Sequence, residues 1–168
     1  MKSTLKRLDT VHAELKTTIN GVDQALLSRR PAENEWSVTE IIEHLCLVEG
    51  AVMKGLKKKL EQPPVKVGFL RKFFPMRIVS LRMKRLQAPK HVQPANELPP
   101  MDELVAKFDA LRADTKAFCI KEGPRLNQVS LKHPYFGDMD GAAAVSMVAF
   151  HEQRHLKQIR ETIKKLTN

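Results

Sequence analysis

The sequence predicts an all-α protein, a four-helix bundle, and three observations carry that expectation. Four long stretches repeat apolar residues in steps of three and four. Alternating strand patterns are absent apart from short ambiguous runs, and the best-marked boundaries in the chain are helix starts and stops. The 168 residues suit one domain over 1–168, long enough to close an apolar core without staples.

The first helix carries Leu5, Leu8, His12, Leu15, Ile19, Val22 and Leu26 on one stripe. It is expected to end near Arg30, because Pro31 biases the residue before it away from helix. The second begins at a capping box, Ser37 with Glu40, in which each side chain satisfies an exposed backbone N–H of the other residue. Removing such a cap costs about 1 kcal/mol. Trp36 before the cap is placed to staple onto Ile41. Ile41, His44, Val48 and Ala51 form its inward stripe, and the helix stops near Leu60, before Pro63 and Pro64.

The third stripe is Met101, Leu104, Phe108, Leu111, Thr115 and Phe118, closed by Gly123 and Pro124. The fourth is Ala144, Val148, His151, His155, Ile159, Thr162 and Leu166, with Asp140 as its N-cap. Helices one and two are separated by a handful of residues, so they should be antiparallel neighbours. A long crossover, about 61–100, lies between helices two and three and is long enough to let those two run parallel. Its FLRKFFPMRIVSLRMKRL stretch suggests short helices around Pro75.

Hydrophobic residues at 42% and charged residues at 29% describe an ordinary folded protein rather than a disordered or membrane one. The net charge of +10 is concentrated between Lys54 and Lys90, where twelve basic residues face only Glu61, leaving the rest close to neutral. There is no apolar leader segment and no spanning run of roughly 18 apolar residues. Cys46 and Cys119 form no CxxC pair, so free thiols in a reducing cytoplasm are the expectation.

The chemistry concentrates in histidines. His151 and His155 lie at i and i+4, so their rings project from one helix face about a turn apart and can share one metal ion. Both continue an inward stripe, and His44 does the same on helix two. Burying three imidazoles without partners is costly, and a divalent metal satisfies them. Three nitrogen ligands with no fourth protein ligand are the pattern of a catalytic site.

The capped start WSVTEIIEHL resembles helix two of the DinB-like (YfiT-related) superfamily, and HPYFGDMDGAAAVSMVAFHEQRHLKQI resembles its final loop and helix. That resemblance implies up-down-down-up connectivity and a metal triad on His44, His151 and His155. It also implies zinc or nickel as the ion, between which imidazole ligation does not choose. The reactions it implies are hydrolysis or transfer of a low-molecular-weight thiol to an electrophile, acting on a small molecule, thiol or anionic. It is compatible with a homodimer.

Other signals are weaker. Glu43, Glu49 and Glu152 are read as support for the ligands or as surface residues, and no general base is named. His12 is read as a boundary histidine hydrogen-bonded to a neighbouring helix in preference to a pocket-lining residue or fourth ligand, His133 as part of a structural turn, and Gly137 as turn punctuation. Tyr135 and Phe136 either overhang the pocket or cap the core, Met139 and Met147 are core filler, and Cys46 is not a ligand. The basic crossover could contact nucleic acid or an anionic membrane, but solvated charges over packed apolar residues are favoured. A ring of such charges at the pocket mouth would attract an anionic substrate. An enzyme is therefore favoured over the alternative, a non-enzymatic metal-stabilised or basic interaction module.

Overall fold

The computed structural model describes residues 1–65, 79 and 87–168. Four long helices make the bundle: α1 (Lys2–Ile19), α3 (Val38–Leu60), α4 (Met101–Glu122) and α5 (Gly141–Thr167). A short α2 (Gln24–Ser28) follows α1, and 3-10 turns occupy Lys90–Val92 and Gly123–Gln128. A small antiparallel hairpin, β1 (Ser130–His133) with β2 (Gly137–Asp140), precedes α5 and pairs Leu131 with Met139.

Contacts between side chains give the helix directions. Asp9 meets Lys116 and His12 meets Asp109, so α1 and α4 run antiparallel. Arg7 lies over Phe150 and Glu14 bonds Arg160, so α1 and α5 run parallel. His44 faces His155 while Leu56 abuts Gly141, so α3 opposes α5.

Two expectations needed correction. The first helix does not reach Arg30. It ends at Ile19 because Gly21 turns the chain at φ +78°, a left-handed conformation that glycine adopts without steric cost. Asp23 then caps the new helix by accepting from Ala25 N–H at 2.9 Å. The loop before helix four is not free of strands, since 130–140 forms the hairpin, whose second strand opens at Gly137 with φ +71°. The basic residues Lys66, Arg71, Lys72, Arg77, Arg82, Lys84 and Arg85, with the short helices expected around Pro75, lie outside the described residues.

The remaining boundaries follow their caps. Ser37 accepts from Glu40 N–H and Glu40 accepts from Ser37 N–H, completing the capping box, while the Arg30 guanidinium forks onto the Glu40 carboxylate. Asp140 accepts from Ala143 N–H at 2.7 Å and starts α5.

The core is divided in two. Val11, Leu15, Ile41, Ile42, Leu45, Leu104, Phe108, Leu156 and Ile159 fill one half. Leu8, Met53, Leu56, Leu126, Met139, Ala144 and Val145 fill the other. Between them, in sequence order along α3, α4 and α5, lies a buried charged layer. Arg112 forks onto Glu49 at 2.8 and 3.1 Å, reaches Glu152 at 2.7 Å and donates to the Leu8 carbonyl at 2.8 Å. Glu49 and Glu152 are each 1% exposed, so this guanidinium is the cation that compensates two carboxylates out of water.

Candidate metal centre

The three inward histidines meet on one side of the layer. His44 comes from α3, held by the capped start of that helix, and His151 and His155 come from adjacent turns of α5. One ligand-capable atom from each lies within 4.8 Å of the others. The ring centroids are 4.5 to 5.2 Å apart, and His151 Nε2 stands 3.2 Å from His155 Nε2.

Hydrogen bonds orient two of the three rings. His44 Nδ1–H donates to the Val92 carbonyl at 2.6 Å, and a carbonyl only accepts, so the Nε2 lone pair is left free. His155 Nδ1–H donates to Gln158 Oε1 at 2.9 Å with the same consequence. Such partners fix ring orientation and tautomer in metal-ligating histidines. Burial pushes all three rings toward the neutral form that ligation requires. It takes His151 down to about 3, assisted by the neighbouring His44, holds His155 well below its ordinary value, and lowers His44 against its bond to Val92.

This donor set fits a metal ion. Two nitrogens at roughly 2.05 Å from one tetrahedral ion stand about 3.3 Å apart, close to the separation of the two α5 nitrogens. Trp36 covers the His44 ring at 5.0 Å and packs on the same apolar cluster as Ile41.

The second elements of the site come from the end of the crossover. Val92 is buried, and Glu43 accepts from Ala95 N–H at 3.1 Å, so consecutive residues of α3 anchor 92–95. Tyr135 at the hairpin tip donates its hydroxyl to the Gln87 carbonyl at 2.9 Å. His133 Nδ1 accepts from the N–H groups of Tyr135 and Phe136, which is the turn role expected of it.

The acidic residues are committed elsewhere. Glu43 holds the crossover, and Glu49 and Glu152 belong to Arg112. His12 lies between Asp109 at 2.6 Å and Glu152 at 3.3 Å, so it bonds neighbouring helices and stands apart from the triad. Cys46 is buried in the apolar core, where burial pushes its thiol up to about 12, far from the thiolate a ligand needs. Arg112, Asp109, Val92 and Gln158 were not singled out from sequence. Gln158 had a readable signal, three residues after His155 on the same face, and Arg112 had another, a cation between the inward positions Phe108 and Thr115.

The family model for the DinB superfamily matches residues 7–159. The chain belongs to the DinB superfamily. The uncharacterised protein YuaE of Bacillus subtilis (strain 168) is 24% identical over 148 residues, 88% of this chain and 90% of that protein. YfiT from Bacillus subtilis, described as a probable metal-dependent hydrolase with an unusual four-helix bundle topology, superposes with TM-score 0.68. It is 15% identical, with 99% of this chain and 87% of YfiT covered. The four-helix bundle protein TT2238 superposes with TM-score 0.60 at 22% identity, covering 95% of this chain and 98% of that one. At these identities the structural likeness establishes the four-helix bundle fold.

Proposed function

We propose that this DinB protein is a metal-dependent enzyme. It holds one divalent ion on His44, His151 and His155 and acts on a small molecule, by hydrolysis or by transfer of a low-molecular-weight thiol. The observation that carries the proposal is the convergence of three imidazoles, two of them oriented by bonds at Nδ1. The description of YfiT as a probable metal-dependent hydrolase supports it. A bound ion would supply Lewis acidity, lowering the pKa of a coordinated water or thiol. Zinc and nickel both suit nitrogen donors of this kind.

The chain's own residues do the positioning. Val92 and Gln158 hold the protons of His44 and His155 away from the metal position, and Trp36 shields the His44 ring from solvent. Glu152, although adjacent to His151 in sequence, is bonded to Arg112 and His12 and so is not the proton acceptor.

Among the described residues no helix is long and apolar enough to cross a membrane. Two buried free cysteines suit work in a reducing cytoplasm.

The test is turnover by zinc- or nickel-loaded protein on a panel of esters and amides and on electrophiles offered with a small thiol, beside His151→Ala. Metal-dependent turnover that disappears in the variant is the expected result. Stoichiometric metal binding with no turnover across the panel would instead favour a non-enzymatic, metal-stabilised module.

A further inference from the structure

The end of the bundle where α3 and α4 finish gathers cations around exposed aliphatic side chains. Residues 54–65 and 117–128 hold six basic residues against two acidic ones. Lys54, Lys57, Lys58 and Lys59 are exposed on the last turns of α3, and Lys121 and Arg125 are exposed at the end of α4. The two segments of this surface are joined: Arg125 donates to the Leu60 carbonyl at 2.9 Å and Val65 N–H donates to the Gln128 carbonyl at 2.8 Å. Met1 reaches the same end, its side chain lying within 3.9 Å of where a Cβ on Gly123 would stand.

Three of the four large hydrophobic side chains exposed among the described residues are here: Ile120 at 70%, Val65 at 55% and Met1 at 37%. Glu122 partly neutralises Arg125 and Lys121, but no acid is paired with Lys54 or Lys58 among the described residues. Lys57 lies along the Phe118 ring, leaving its charge at the surface.

We propose that this end is a docking surface for an anionic lipid bilayer. Lysines that reach anionic headgroups, interleaved with aliphatic side chains that enter the headgroup boundary, are the composition of a peripheral membrane contact. Nucleic acid is the less suited polyanion. The exposed apolar residues are aliphatic and offer no ring for base stacking, and point-charge lysines outnumber the forked arginines that read phosphate bidentately.

The experiment is co-sedimentation of the full chain with phosphatidylcholine vesicles that contain or lack phosphatidylserine, at low and high salt, beside a duplex DNA binding assay. Binding should require phosphatidylserine and weaken with salt. Ile120→Asn, which changes no charge, should weaken it by about tenfold and leave any DNA binding unchanged. Reversing Lys57, Lys58 and Lys59 to Glu should weaken vesicle binding by about 100-fold or more, at about fivefold per lysine. Absence of phosphatidylserine-dependent sedimentation would overturn the proposal. So would vesicle binding indifferent to Ile120→Asn, or DNA binding without vesicle binding.

Discussion

Replacing Arg112 by Met isolates the charged layer at the centre of the bundle. The substitution keeps an unbranched side chain of similar length, so the loss is electrostatic rather than a large cavity. Arg112 is 4% exposed and meets three groups that lie out of water: the carboxylates of Glu49 and Glu152 and the Leu8 carbonyl. Removing one partner of a buried ion pair costs roughly 3–5 kcal/mol, because the other charge is left without compensation. Here two carboxylates lose their cation, but His12 still faces Glu152, so the expected loss is at the upper part of that range, about 4–5 kcal/mol. For a chain of this length that lowers Tm by about 8–20 °C. Urea denaturation followed by circular dichroism measures it. The double variant Glu49→Leu/Arg112→Met should lose much less than the sum of its parts, since the two residues share one interaction. A loss below about 1 kcal/mol for Arg112→Met, or strict additivity in the double variant, would refute the view that the layer is held by this guanidinium.

Three further outcomes follow from particular contacts. Burial opposes charge on His12, but its bonds to Glu152 and Asp109 outweigh that and raise its pKa above the ordinary value, against the opposing charge of Arg112. A raised pKa gives stabilisation that is complete below the unfolded value and is lost as pH rises through the folded one. Denaturation midpoints taken at about pH 6 and about pH 8 should therefore fall with rising pH by more in the wild type than in His12→Gln. Gly141→Ala should destabilise by about 1–3 kcal/mol in the same assay, because its Cβ would stand 2.8 Å from the Leu126 carbonyl oxygen and 3.0 Å from Leu56 and Val129 side chains. Gln158→Leu should leave the fold intact and weaken zinc affinity by about 10- to 100-fold in chelator competition, since His155 loses the acceptor that fixes its tautomer.

Much of this architecture could be read from local rules. The Ser37–Glu40 box and the Asp140 cap placed two helix starts to the residue, and the step of three and four put His44, His151 and His155 on inward faces. The break after Ile19 was hidden because Val22 and Leu26 continue the apolar step through a turn made by one glycine. The hairpin at 130–140 was hidden because its strands have four residues each, too few for alternation to stand out from a loop. The charged layer depends on four helices meeting at one level, so Glu49 and Glu152 stayed ambiguous until Arg112 was seen between them. The carbonyl that orients His44 lies 48 residues away, at Val92, which no local pattern reveals.

The central claim is that three histidines hold one metal ion, and elemental analysis tests it most directly. Protein purified without a histidine tag should carry one zinc or nickel per chain, or take it up when offered, and His44→Ala should lose it while keeping its helical circular dichroism. Wild-type protein that arrives metal-free and takes up neither ion would contradict the claim. Full occupancy in His44→Ala would contradict the ligand set.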